Sequence, residues 1–318
     1  MNINQLKYLI ELDLAKSFSL AAEKLGISQP ALSMQIRNLE EELDFVIIDR
    51  SRKPFELTPE GEVVIEKARE IVALADNLKD VSLQLSMADE GLLRIGIIPT
   101  VAPYLVPLFA KGFGKKYPGI RLDISEMTTE KALAELKEGK LDAAIVATPV
   151  EAKGIQFVPL FYEKFFLYLS EKNSHFDDEV INLTSLDMSE LWYLQEGNCF
   201  QNQVDDFCRL AVKVQPNRGF TYRSNSIESL RRIVELHGGA AFIPELATIT
   251  VPAEYEDLVK PIAEPVPFRE ISLAVNRILP RERLLARLTD AIRASLPPAM
   301  QVKPDGKIAP TGISFRKL

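Results

Sequence analysis

Apolar residues in the first sixty positions recur at helical spacing. Leu32, Ile36, Leu39 and Leu43 stand 4, 3 and 4 apart, one stripe of an amphipathic helix that starts after Ser28. Before it, Phe18–Leu25 carries Ala21, Ala22 and Leu25 on a shorter helix; Gly26 ends that helix and Ile27 plugs the turn. Ser28 suits an N-cap, and Pro30 suits a first helical turn, where its missing N–H costs little. Helix, short glycine-containing turn, helix is the pattern of a helix-turn-helix. Phe45–Asp49 and Phe55–Leu57 read as two short strands around the basic tip Arg50-Ser51-Arg52-Lys53-Pro54, which predicts a wing. From Thr58-Pro59 a long helix begins. Val64, Ala68, Ile71, Ala75, Leu78, Ser82 and Leu85 repeat at 4, 3, 4, 3, 4 and 3, a heptad seam. About 28 residues at roughly 1.5 Å each reach about 42 Å. Such a stripe needs a cover, either its own chain or a second copy, and the seam predicts a dimer.

After Leu92 the pattern alternates. Leu92–Ile98, Arg121–Glu126, Leu141–Val146, Phe165–Leu169, Leu191–Leu194, Gly219–Arg223, Ala240–Ile243 and Glu270–Val275 read as strands. Pro103–Tyr117, Thr129–Gly139, Gln201–Val212, Ile227–Leu236 and Glu282–Leu296 read as helices. Alternation of this kind predicts α/β sheets with ligands at strand carboxyl ends. The length is large for one sheet, so two lobes are expected, with the chain crossing near Phe161–Phe165 and again near Pro265–Arg269. The fold class is therefore an all-α winged helix-turn-helix domain plus a linker helix, followed by a two-lobed α/β regulatory domain. The expected boundaries are 1–58 for the winged domain, 59–89 for the linker and 90–297 for the lobes. Residues 298–318, proline-bearing and charged, read as a flexible tail.

Charge complicates a nucleic-acid reading. The chain carries a net −7, and residues 1–60 hold seven Lys/Arg against ten Asp/Glu, a net of −3. No summed basic footprint exists, so DNA contact has to rest on local pattern. The face opposite the apolar stripe carries Pro30, Ser33, Met34 and Arg37. The first residues of a recognition helix meet base edges, and Gln29, Ser33 and Gln35 supply donors and acceptors there. Arg50, Arg52 and Lys53 at the wing tip suit phosphates, although a solvated turn has the same composition. Glu40, Glu41 and Glu42 stand at the far end, where they need not meet DNA.

Other classes lose support. No apolar run approaches the ~18 residues of a membrane span. Met1–Asp13 has Glu11 and Asp13 and no basic start to an apolar run, so a secretory leader is not expected and the cytoplasm is. Two distant histidines, His175 and His237, without Cys-x-x-Cys, give no expected metal. No glycine-rich phosphate loop is present, so no cofactor is expected. Cys199 and Cys208 are too few for a disulfide scaffold and could be ordinary apolar fillers.

The stretch SFSLAAEKLGISQPALSMQIRNLEEEL, followed by F-(x)4-R and LTPEG, resembles the N-terminal domain of LysR-type transcription regulators. The resemblance implies a winged helix-turn-helix, a dimerising linker helix and a regulatory domain like a periplasmic binding protein. It also implies homotetramers on double-stranded promoter DNA and contact with RNA polymerase. Within the family, IGIIPTVAPYLVP, EGNCFQNQVDDFC, SNSIESLRRIV and FREISL resemble the peroxide-sensing branch. That implies hydrogen peroxide as the signal, Cys199 as the reacting thiol and Cys208 as the resolving one. Thr100, Thr129, Asn198 and Arg269 would position peroxide and the thiolate. The branch usually has His before the reacting cysteine and often Arg two residues after it. Here Asn198 and Gln201 stand there, which removes a possible cation from beside the sulfur.

If 200–208 is helical when reduced, nine residues advance about 13.5 Å. A disulfide needs Cα atoms within about 7 Å, so bridging would unwind the helix. The start of that helix would lower the pKa of Cys199 through its N–H groups. Two other readings stay open: a LysR-type regulator that binds a small molecule between its lobes, and a thiol peroxidase. A helix-turn-helix has no use in the second.

Overall fold

The computed structural model describes all residues except 53, 86–89, 196–198, 209–221, 223, 266, 277–280 and 314–318, and leaves aside the side chains of 73, 76–85 and 207. The chain divides into two compact units, Met1–Ala88 and Asp89–Leu318, each with its own hydrophobic core.

The first unit contains α1 (Ile3–Ala15), α2 (Phe18–Leu25), α3 (Gln29–Leu43), the two-residue strands β1 (Ile48–Asp49) and β2 (Glu56–Leu57), and α4 (Pro59–Leu85). The helix α1, which the apolar pattern does not single out, opens on a capping box between Asn2 and Gln5 and buries Leu6, Leu9 and Leu12. Ser17 caps α2, and Gly26 closes it at φ 66°, a left-handed conformation that costs glycine little. Ser28 caps α3, whose Leu32, Ile36 and Leu39 are fully buried. β1 and β2 pair antiparallel as the base of the wing. The LTPEG stretch then acquires a local cause. The Thr58 hydroxyl donates to the Val46 carbonyl at 2.7 Å and accepts from the Gly61 N–H at 2.9 Å. A Cβ on Gly61 would collide with the Ile47 carbonyl oxygen.

The helix α4 serves two masters. Ile65 and Ala68 are buried in the core of their own unit, which packs α4 against α1, and Val64 and Val72 are half-buried beside them. Val63, Ile71 and Leu74 are exposed. The first seam positions therefore already have a cover on their own chain, because α1 lies beside them. Seam positions Leu78, Ser82 and Leu85 have side chains outside the described set.

The second unit contains β3 (Gly91–Ile97), α5 (Ala102–Lys116), β4 (Ile120–Glu126), α6 (Thr129–Lys137), β5 (Ala143–Thr148), β6 (Ile155–Glu163), β7 (Phe165–Leu169), β8 (Leu191–Trp192), α7 (Cys199–Phe207), α8 (Ile227–His237), β9 (Ala240–Pro244), α9 (Glu245–Thr248), β10 (Val259–Pro261), β11 (Arg269–Asn276) and α10 (Glu282–Ala294). Two sheets result. One has the order β4-β3-β5-β11-β6, with β3 parallel to β4 and β5, and β11 antiparallel to β5 and β6. The other has the order β10-β7-β9-β8. The chain leaves the first sheet at Glu163 and enters the second at Phe165, so Lys164 alone makes the first crossing. Its N–H donates to the Glu245 carboxylate at 2.9 Å, and its carbonyl accepts from the Glu245 N–H at 3.0 Å. The return runs from Pro261 to Arg269. The lobes also meet where the Tyr104 hydroxyl of α5 donates to Glu228 of α8 at 2.8 Å.

Two expectations change. The apolar pattern does not single out β6 or β10: β6 is interrupted by Gln156 and Pro159 and ends on Glu163, and β10 is three residues long. The expected flexible tail is not loose over 298–313. Met300, Ala309 and Thr311 are buried, and Ile308 forms a β-bridge with Phe268. A few buried residues and backbone bonds, rather than overall composition, decide that packing. The strand expected at Gly219–Arg223 lies almost entirely outside the described residues.

Candidate functional site: a buried cysteine and an exposed helix face

Four sequence-nominated residues converge in the second unit. Cys199 is the first residue of α7 and is 6% exposed. Its sulfur lies 3.0 Å from the hydroxyl oxygen of Thr129. Thr129 has no capping duty, because Thr128 accepts the Lys131 N–H and caps α6. Thr100, in the turn before α5, likewise caps nothing; its hydroxyl accepts from Nη2 of Arg269 at 3.1 Å. Arg269 is fully buried, and so is Glu163, its neighbour across the β11–β6 ladder. Nη1 of Arg269 stands 3.0 Å from Oε1 of Glu163, in ion-pair range, though that contact lacks the alignment of a hydrogen bond. The other Glu163 oxygen accepts from the Leu246 N–H of α9 at 3.1 Å. The guanidinium carbon lies 4.9 Å from the centroid of the Phe200 ring.

Glu163 and Phe200 were not nominated by the sequence. The register that sets Glu163 opposite Arg269 depends on pairing between strands about a hundred positions apart in the chain. No local pattern announces it. Phe200, next to Cys199, reads in sequence only as an apolar position.

The electrostatics favour a resting thiol. Burial pushes the Cys199 pKa above its ordinary value; the Thr129 hydrogen bond pulls the other way, Glu130 pushes it up, and Arg269 pulls it down. The lowering expected from the helix start is therefore overcome by desolvation, and the charge of Arg269 is already engaged by Glu163. Burial pushes Glu163 up and Arg269 down, and their mutual attraction opposes both.

Cys208 stands at the other end of α7. Its N–H donates to the Val204 carbonyl at 3.0 Å, so the helical bonding reaches it. Its thiol is pushed up to about 12, first by burial and then by Asp205. Both cysteines are free. With the segment helical, their Cα atoms stand about 13.5 Å apart, beyond the reach of about 7 Å that a bridge needs. Asn198 lies outside the described residues. Gln201 is 3% exposed; its Oε1 accepts from the Leu194 N–H at 2.8 Å and its Nε2 donates to Asp205 at 2.7 Å. Gln201 thus fastens α7 to the loop after β8, a duty its neutral amide suits.

The first unit presents a different kind of site. Gln29, Pro30, Met34 and Arg37 are exposed on α3, and Ser33 is half-buried. At about 100° per residue, Pro30, Ser33, Met34 and Arg37 share one face, while Gln35 is turned about 160° from Ser33. Gln35 is therefore not brought together with the others. Glu40, at the far end of α3, faces inward. Its Oε1 accepts from the Ile47 and Ile48 N–H groups at 2.9 and 3.1 Å, and its Oε2 accepts from Arg50 at 2.7 Å. Arg52 pairs with Asp49 and Glu56. Both described wing arginines thus carry acids of their own unit, and Lys53 lies outside the described residues.

Comparison with known proteins fixes the family. Residues 3–62 match the model of the bacterial regulatory helix-turn-helix protein, lysR family, and residues 87–297 match the LysR substrate binding domain. The chain belongs to the LysR family of DNA-binding transcription regulators. This LysR-family chain is 32% identical over 300 residues to the hydrogen peroxide-inducible genes activator of Haemophilus influenzae, covering 93% of this chain and 99% of that one. It is 32% identical over 299 residues to the DNA-binding transcriptional dual regulator OxyR of Escherichia coli K12, covering 93% and 96%. Among solved structures, a full-length OxyR variant from Pseudomonas aeruginosa superposes with a TM-score of 0.72 at 30% identity, covering 92% of this chain and 98% of that one. Among the described residues, no helix is long and apolar enough to cross a membrane.

Proposed function

We propose that this LysR-family regulator is a cytoplasmic hydrogen-peroxide sensor that acts on promoter DNA through a reversible Cys199–Cys208 disulfide, and that it is not an enzyme. One observation carries the reading: the Cys199 sulfur is 3.0 Å from the Thr129 hydroxyl, at the start of a helix that Cys208 immediately follows. The Thr129 hydroxyl donates to the thiolate once the proton leaves. Arg269, with the Thr100 hydroxyl oriented beside it, holds positive charge for the departing oxygen, and Asn198 precedes the thiol in sequence.

The thiolate attacks one peroxide oxygen. The O–O bond breaks, and the departing hydroxide takes a proton to become water. Cys199 is then a sulfenic acid. The Cys208 thiolate attacks its sulfur, the S–O bond breaks, and a second water leaves. Two thiols have supplied two electrons, and peroxide has become two waters. Because the cysteines stand a helix apart, bridging requires α7 to come undone, a local two-state element. The reading includes binding as a homodimer through the exposed positions of α4, assembled as a homotetramer, with RNA polymerase as the recipient of the signal. Gln29, Pro30, Ser33 and Arg37 address the major groove, from which Gln35 is turned away, and Arg50, Arg52 and Lys53 address phosphates.

Mass spectrometry after brief, dilute peroxide, with promoter footprinting alongside, tests this. The expected result is a Cys199–Cys208 bridge and a changed footprint, both lost in Cys199→Ser. A footprint that still responds in that variant would exclude the sensor and point to an effector held between the lobes.

A further inference from the structure

The stretch after α10 lies beyond the family match, which ends at residue 297, yet it touches the redox helix directly. Gln203 is fully buried, one turn along α7 from Cys199 and on the same face. Its Nε2 donates to the Ala309 carbonyl at 2.8 Å. Asn202 donates through Nδ2 to the Thr311 carbonyl at 3.0 Å. Gly312, at φ 69°, brings its backbone against the same Asn202 side chain. The segment is anchored elsewhere as well. The Phe268 N–H donates to the Lys307 carbonyl at 3.0 Å, and the Ala309 N–H donates to the Phe268 carbonyl at 2.9 Å. The Thr311 hydroxyl donates to the Pro149 carbonyl at 2.6 Å. Phe268 immediately precedes Arg269.

We propose that residues 307–313 form a clasp that positions α7, with Asn202 and Gln203 as its positioning residues, so that Cys199 stays against Thr129 and the helix resists unwinding. The clasp rests on the peroxide reading for its purpose but not for its existence. It ties three sequence-distant parts to one another: the residue before Arg269, the end of β5, and the helix that carries Cys199. Undoing α7 means breaking the Gln203 and Asn202 bonds in the same event. The clasp therefore raises the barrier to bridging and favours the reduced form. It is also built to let go. The Gln203 Oε1 is buried without a hydrogen-bond partner, so the amide is only half compensated in the clasped state, and release returns that oxygen to water.

The test uses the full chain lacking residues 306–318, together with the milder Asn202→Ala in the intact chain. Hydrogen exchange of the reduced proteins is read across 199–207, with α10 as an internal reference. The disulfide fraction is read in glutathione buffers of fixed ratio, and the pH profile of Cys199 alkylation is recorded. In the deletion, the clasp predicts exchange about tenfold faster across α7 with α10 unchanged, a bridge that forms in more reducing buffer, and a displaced alkylation profile. Asn202→Ala gives the same pattern, smaller. Unchanged α7 exchange in both variants overturns the clasp. Faster α7 exchange in a protein whose cysteines never bridge keeps the clasp and overturns the sensor.

Discussion

The two units handle polar groups in opposite ways. The DNA-reading unit keeps Gln29, Pro30 and Arg37 in solvent and turns Glu40 inward as structural glue for the wing. The sensor unit buries Cys199, Thr100, Thr129, Glu163 and Arg269 almost completely. A surface that recognises by contact can wait in water for its partner. The Cys199 thiol is instead governed by what surrounds it, and in the folded chain burial outweighs the pull of Arg269.

The contrast breaks most completely at the sulfur. Cys199→Ser is expected to abolish bridging and the peroxide-dependent footprint while leaving affinity of the reduced form for promoter DNA intact; loss of that affinity would mean the units are not separable. Next comes the buried ion pair. Glu163→Ala leaves Arg269 uncompensated and is expected to destabilise the sensor unit by about 3–5 kcal/mol. Trp192, the single tryptophan, reports that unit in denaturant unfolding. Adding Arg269→Leu should recover much of the loss, and a pair worth nothing would leave the midpoint where it was.

The third expectation concerns pH. Because the folded-state pKa of Cys199 is raised, its thiolate is scarce at neutrality and grows as pH climbs toward that pKa. Alkylation of Cys199 should then accelerate about tenfold per pH unit from 6.5 to 8.5. A plateau in that window would mean that Arg269 wins over burial. In the other unit, Ser28→Ala removes the cap of α3 and is expected to cost about 1 kcal/mol, read by far-ultraviolet dichroism with Trp192 fluorescence unmoved. Smallest of all, Thr129→Val withdraws one hydrogen bond from the thiolate and should slow alkylation about threefold at pH 7.5.

The same contrast explains what could be read from the chain alone. In α2 and α3 each signal is local: a serine cap, a glycine stop, an apolar stripe. Periodicity sees those directly. In the sensor unit, the strand β7 and the lobe crossing at Lys164 were legible because the apolar run is compact. Cys199, Cys208, Thr100, Thr129 and Arg269 came into view through a family resemblance and not through spacing. Glu163 stayed hidden because its meaning lies in a cross-strand register. The packing of 298–313 is not legible in composition, which does not show which few residues, here Met300, Ala309 and Thr311, become buried.

Lys164 closes the account of the lobes. A connector of one residue, held at its amide and at its carbonyl by Glu245, leaves no slack in which one sheet could melt unnoticed by the other. Torsion introduced at β7 passes straight into β6, and Glu163 sits at the junction beside Arg269. The regulatory half should accordingly melt in a single calorimetric transition.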